Sequence, residues 1–251
     1  MLAFVLAVSA FIASSARAEI GRFPPDLKAV RAELHDISVP PVPADVPAGG
    51  PFTVQGKSIW YDPPVLGLDS PEAKEYAEAA QGLAARGLDF SAVFAGLCRH
   101  LLDDPRARRA SRAETANLFR GLIRWTRNGG KPAWHGREDW PLHFIYGGYV
   151  AAAYGHAAAE AAAYAKEDRD AFARGNYFDL DDLGVTLIGA RWASRVGNGF
   201  KELARWAGPW ASGQRALDAL PAMSFGRLPH GHLPSPAQAW RLRAFVDGVL
   251  R

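Results

Sequence analysis

Two groups of acidic side chains have the types and neighbours expected of catalytic carboxylates. Glu138 and Asp139 directly precede Trp140, and a Tyr-Phe pair precedes Asp179 and Asp182. A carboxyl group held against an aromatic wall loses hydration, which raises its pKa and suits it to donate a proton. A second carboxylate can then act as base or stabilise a cationic transition state. The pattern predicts paired-carboxylate chemistry, with Glu138 as donor and Asp179 or Asp182 as partner.

The same acids also have a purely structural explanation. Acidic side chains are favoured at helix N-termini, where free backbone amides and the positive end of the helix dipole stabilise them. Pro141 is typical of a helix that begins near Asp139, and Asp179 precedes an apolar helical run. The sequence leaves catalysis and helix capping open as alternatives.

His143 is a further catalytic candidate, because it lies among aromatic side chains and a basic residue, Lys131, lies nearby in the sequence. A His-Lys ribonuclease site, formed by His135 or His143 with Lys131, is one alternative. The side chains expected to bind substrate are aromatic or basic: Trp134, Trp140, Tyr146 and Lys131. No H-x-x-x-H or H-E-x-x-H pair occurs, and Cys98 is the only cysteine, so we expect no metal and no cofactor.

Helix signals position these candidates on a series of helices. Caps or prolines predict helices that begin after Ser70, Asp89, Ser111, Asp179 and Ser235, and a further helix from about Pro141 with a break near Gly155. Glycines and alanines from Gly147 onward predict a close crossing of two helices. The expected fold is mainly α, a single-domain orthogonal helical bundle over residues 70–251.

The first 69 residues differ from the rest. Residues 1–18 contain a short apolar run followed by Ala16-Arg17-Ala18, which is typical of a signal peptide. Residues 19–69 are rich in proline and glycine and predict an arm with one small β-hairpin near 52–61. We expect a periplasmic or secreted protein with no transmembrane segment.

Four segments in order carry a family likeness: the NLF run at 117–119, the NGGKPAW run at 128–134, the EDWPLHFIYG run at 138–147, and the DLDD run at 179–182 with GARWA at 189–193. Together they span about residues 112–195 and resemble the polymorphic toxin type 44 (bacterial toxin 44) family. Pro141, Leu142 and Leu183 depart from the family pattern. The resemblance implies an exported toxin hydrolase, often a ribonuclease, with a cognate immunity protein as a partner.

The distribution of charge and the expected location favour one substrate class. The chain carries a formal net charge of +3, but residues 131–182 contain nine acidic and five basic side chains. An acidic segment is expected to repel phosphates, and an exported enzyme meets peptidoglycan before RNA. The principal hypothesis is therefore cleavage of peptidoglycan glycan strands. A secreted ribonuclease toxin and a non-catalytic periplasmic binding or immunity protein are the alternatives.

Overall fold

The computed structural model describes residues 66–172, 175–198 and 224–249, together with two short strands near residue 55. Strand β1 (Thr53–Val54) pairs antiparallel with β2 (Lys57–Ser58). The rest of the predicted hairpin, the predicted signal peptide and nearly all of the predicted arm lie outside the described residues.

The described part of the chain is mainly α-helical, as predicted. Its helices are α1 (Pro71–Ala84), α2 (Phe90–Asp103), α3 (Ala107–Arg127), α4 (Asp139–Tyr154), α5 (His156–Phe172), α6 (Leu180–Gly197) and α7 (Pro236–Val249). Side chains from all of these helices meet in one apolar core. No helix in the described ranges is both long and apolar enough to cross a bilayer. The orthogonal arrangement of the helices stays a prediction.

Three predicted caps begin helices as expected. Ser70 Oγ accepts a hydrogen bond from the Ala73 amide at 3.1 Å at the start of α1, and Asp89 Oδ1 accepts one from the Ala92 amide at 2.9 Å at the start of α2. Asp179 caps α6 by accepting from two amides. Each cap satisfies amides that have no partner within the helix.

The capping box predicted at Ser111 is wrong. Helix α3 begins earlier, at Ala107, after Asp104 has accepted a hydrogen bond from the Arg106 amide at 2.8 Å. Ser111 therefore lies inside the helix, where its hydroxyl faces the carbonyl of Gly197 instead of a free amide. The sequence pattern of a capping box was present, but an upstream turn had already started the helix.

Helices α4 and α6 cross at two glycines, as the small-residue pattern predicts. A Cβ atom on Gly147 would lie 2.1 Å from the Thr186 carbonyl oxygen, and one on Gly189 would lie 2.1 Å from the Phe144 carbonyl oxygen. Both distances are far below any real carbon–oxygen contact, so only glycine fits at either position. This reciprocal contact brings the two backbones together one turn from His143 and Asp182.

Aromatic side chains fill the core beside this crossing. Phe94 lies at its centre, with ring centroids 4.8 Å from Phe144 and 4.9 Å from Trp192, both edge-to-face. Phe119 completes the cluster by packing against the α4 glycine at position 148. Edge-to-face pairs of this kind add to the stabilisation from burial, so α2, α3, α4 and α6 are held as one unit.

Candidate active site

A cavity of about 670 Å³ opens between the end of α3, the segment before α4, and the helices α4, α5 and α6. We call two of its lining residues, the half-buried His143 and the buried Thr186, the floor. Its exposed rim includes Lys131, Glu138 and Arg169. The volume falls in the range of ligand sites in proteins.

A tight turn delivers the segment before α4 to this cavity. Trp134 and Arg137 exchange two backbone hydrogen bonds of 2.9 Å across His135 and Gly136, both of which have positive φ. Positive φ at both central positions is typical of a two-residue hairpin turn. The turn sends the Trp134 ring into the core and directs Arg137 toward the carboxylates of α4 and α6.

The two ring nitrogens of His143 contact two groups on α6. Nδ1 lies 3.0 Å from the hydroxyl oxygen of Thr186, and Nε2 lies 3.3 Å from Oδ2 of Asp182. The Thr186 hydroxyl in turn donates to the Asp182 carbonyl oxygen at 2.8 Å. Because that hydroxyl has one proton, its oxygen is left to accept from Nδ1–H of the ring.

Asp182 is buried and is held by a second positive group. Arg137 Nη2 donates to Asp182 Oδ1 at 2.8 Å, which leaves Oδ2 turned to His143. Burial raises the pKa of the Asp182 carboxyl, but the hydrogen bond with His143 and the charges of His143 and Lys166 outweigh it. The pKa therefore lies below its ordinary value, and Asp182 is a carboxylate at neutral pH.

Glu167 brings a third potential ligand atom to the same place from α5. One carboxylate oxygen each from Glu167 and Asp182 and one nitrogen of His143 lie within 4.8 Å of one another. Glu167 is almost fully buried and is paired with Lys166, whose Nζ lies 2.6 Å from Oε1. Burial raises the pKa of the Glu167 carboxyl, and the charge of Lys166 opposes this.

The cavity lining is mainly cationic among its charged members. Arg127, Lys131, Lys166 and Arg169 line it, whereas Glu138 is its one lining carboxylate among the described residues. The excess of acidic side chains in residues 131–182 is not found on this surface, because several of those side chains cap helices or form ion pairs. The expectation that the segment repels phosphates does not hold for the cavity wall.

Two of the predicted catalytic acids are occupied by structural contacts. Asp139 forms a bidentate pair with Arg137, at 2.8 and 2.6 Å, which lowers its pKa. Asp179 caps α6 through Oδ1, and its Oδ2 accepts from Arg227 at 2.9 Å. Both carboxylates support the helices that carry the cavity, and neither lines it.

The predicted substrate-binding residues fall into two groups. Trp134 and Trp140 are buried in the aromatic core, so their rings offer no face to a ligand in this structure. Tyr146 and Lys131 line the cavity, as do the predicted catalytic residues Glu138 and His143. The structure thus brings together four of the predicted site residues around one opening.

Several groups at this site were not singled out from the sequence: Arg137, Lys166, Glu167 and Thr186. Glu167 carried a usable signal, because it continues the four-residue spacing of the buried Ala159 and Ala163 along α5. A charged residue on the apolar face of a helix is uncommon unless it is paired. Nothing in the local sequence indicated that α5 would bring it to His143.

Comparisons of the chain with protein-family models, with curated proteins and with solved structures gave no match. The likeness to the bacterial toxin 44 family therefore stays a prediction.

Proposed function

We propose that the protein is a ribonuclease that cleaves RNA in the cavity around His143. The observation that carries the proposal is the combination of the His143–Asp182 pair, in which His143 lines the cavity, and four lysine and arginine side chains on the same lining. A phosphodiester is the substrate class that such a lining attracts, and arginine and lysine are the side chains that bind phosphate oxygens.

Glu138 and His143 supply the two proton-transfer groups that RNA cleavage needs. Glu138 is exposed on the rim, so it accepts the proton of the 2′-hydroxyl as the 2′-oxygen attacks phosphorus. This step requires a proton on each ring nitrogen of His143: Nε2–H stays paired with Asp182, and the Nδ1 proton goes to the departing 5′-oxygen when that oxygen takes the place of the Thr186 hydroxyl. The products are a 2′,3′-cyclic phosphate and a 5′-hydroxyl end.

The cations of the lining stabilise the charge that develops on phosphorus. Lys131 and Arg169 lie exposed at the rim, where they meet an incoming strand. Lys166 lies deeper, paired with Glu167 and with Asp170 at 3.2 Å. Preorganised positive groups of this kind act without reorganising during the reaction.

The first test replaces the acid and the base separately. We expect His143→Gln and Glu138→Gln each to lower the rate of RNA cleavage by the purified protein by about a hundredfold or more. His232→Gln is the matched control, because His232 is exposed and does not line the cavity. Cleavage that survives both substitutions would reject the proposed roles.

Cleavage of cell-wall glycan is the second candidate. It is favoured by Tyr146, an aromatic side chain that lines the same cavity as the Glu138 carboxylate, because aromatic rings bind sugar faces. The segment at residues 1–18, proposed as a signal peptide, would carry the protein to the wall as a toxin-44-like secreted or periplasmic enzyme. A fall in turbidity of purified cell walls, with no RNA cleavage, would select this candidate.

The non-catalytic alternative gives a third result. A binding or immunity protein would cleave neither substrate, and His143→Gln would leave its binding to a partner unchanged. Both activity assays on one protein preparation therefore separate the three proposals.

A further inference from the structure

We propose that His143, Glu167 and Asp182 form a binding site for one divalent transition-metal ion at the cavity floor. The three residues come from α4, α5 and α6, and one potential ligand atom from each lies within 4.8 Å of the others. Ligand atoms around an ion with bonds of about 2.1 Å lie at most about 4.2 Å apart. Small side-chain rotations are therefore enough to close the site.

The hydrogen bonds of His143 point to a cation between the ring and Asp182. The Thr186 hydroxyl donates its proton to the Asp182 carbonyl oxygen, so Thr186 can only accept from His143, and Nδ1 carries the proton that it donates to Thr186. Nε2 faces the Asp182 carboxylate oxygen at 3.3 Å and presents a lone pair to it whenever it carries no proton. Two acceptors face each other at this distance only when a positive charge, a proton or a metal ion, lies between them.

The groups around the three ligands resemble the outer shell of metal sites in general. A metal-bound histidine donates its other N–H to a nearby oxygen, and bound carboxylates are held by further hydrogen bonds. Here Thr186 receives Nδ1–H, Arg137 holds the far oxygen of Asp182, and the Asp179 amide donates to Glu167 Oε2 at 3.2 Å. The ligands are thus oriented without the ion.

The ligand types indicate which ion fits. One imidazole and two carboxylates suit Zn²⁺ or Mn²⁺, whereas Mg²⁺ and Ca²⁺ prefer oxygen ligands alone. Three protein ligands, of which His143 lines the cavity, also leave a coordination position open to water or substrate. Lys166 is the competitor, because its ammonium group already neutralises Glu167 at 2.6 Å.

The experiment measures the binding of ZnCl₂ alone to the chelator-treated full chain by calorimetry. We expect one site that Glu167→Gln and Asp182→Asn each weaken at least about tenfold. Asp103→Asn is the matched control and leaves the affinity unchanged, since Asp103 is exposed at the end of α2 and contacts neither the ligand set nor Lys166. Equal Zn²⁺ affinity in the wild type and both ligand variants would overturn the site and assign the binding to surface histidines.

A second variant keeps the inference testable if the ligand variants fold poorly. Lys166→Gln removes the competing ammonium and keeps a hydrogen-bond donor for Glu167, so we expect Zn²⁺ to bind at least about threefold more tightly. Unchanged or weaker binding in this folded variant would contradict the site.

The binding claim does not depend on the substrate. On the proposed function, an ion on Nε2 replaces the proton that His143 needs there, so we also expect Zn²⁺ to inhibit RNA cleavage. Zn²⁺ binding without any RNA cleavage would reject the function and keep the site. RNA cleavage by a protein that binds no Zn²⁺ would reject the metal site and keep the proposed function.

Discussion

Glu114 on α3 is a buried acidic side chain with only one of its two carboxylate oxygens in a hydrogen bond. Its Oε1 faces Asn117 Nδ2 at 3.3 Å, but Oε2 accepts no hydrogen bond from a described residue. The nearest cation to Oε2 that the structure records is Arg106 Nε, at 4.0 Å. Burial raises the pKa of the Glu114 carboxyl above its ordinary value, and the charge of Arg106 opposes this without cancelling it.

The raised pKa predicts a pH-dependent gain from Glu114→Gln. A folded-state pKa above the unfolded one means that the folded protein binds protons more readily, so this contribution to stability is present at low pH and lost as pH rises. We expect Glu114→Gln to raise the free energy of unfolding by about 1 kcal/mol at pH 7 and by much less near pH 4, measured by urea denaturation.

A matched substitution tests the cause. Glu72 lies in the first turn of α1, where the helix dipole favours its charge, so Glu72→Gln should lower stability slightly at pH 7. An equal gain from Glu114→Gln at both pH values would show that burial of the charge is not the source.

Local contacts explain which residues could be predicted and which could not. The caps at Ser70, Asp89 and Asp179 were predictable because a cap and the amides it binds are close neighbours in sequence. The pairing of His143 with Thr186 and Asp182 joins α4 to α6, and no local pattern encodes it. The proposed metal ligands also come from three different helices, so a local motif such as H-x-x-x-H could not have indicated them.

The α4–α6 crossing is the element-scale feature on which the cavity depends. We expect Gly189→Ala to lower the free energy of unfolding by about 3 kcal/mol or more, because its methyl group would overlap the Phe144 carbonyl and force the helices apart. Thermal and urea denaturation measure this directly.

Gly82→Ala is the control for the same change of residue. Gly82 lies exposed in α1 with no atom within 4 Å of an added Cβ, so alanine should stabilise the helix by about 0.5–1 kcal/mol. Similar effects at the two positions would show that helix propensity, and not the crossing, governs Gly189.

The small-residue run of α4 predicted this crossing, but it did not identify the partner helix. Gly189 of α6 completes the contact, and a lone glycine in a helix carries little signal. The identity of the helix that packs against α4 therefore could not be predicted from the sequence and is seen only in the structure.

At the scale of the whole molecule, charge is distributed by the fold and not by sequence segment. The net charge of +3 is modest, yet the cavity collects four cationic side chains from α3, α5 and the segment before α4. Counting charges along residues 131–182 did not predict this cationic lining, because Asp139 and Asp179 form ion pairs with arginines and do not line the cavity.

This distribution predicts a local electrostatic effect on RNA binding. Lys131→Gln should weaken binding of single-stranded RNA about three- to tenfold at low salt and reduce the slope of log Kd against log salt by about 0.7. Lys74→Gln is the control, since Lys74 is equally an exposed lysine but lies on α1. Equal losses from the two variants, measured by fluorescence anisotropy, would indicate binding by overall charge alone.

The touching backbones of α4 and α6 also set how the cavity can respond to what enters it. Sliding or tilting either helix would drive a carbonyl oxygen into a glycine of the other, so the pair moves as one body. His143 and Thr186 therefore keep their spacing whatever occupies the opening. Any adjustment to a bound ligand must therefore come from α5 and the turn at Trp134–Arg137, so the floor is the rigid part of the cavity and these walls are the part that can move.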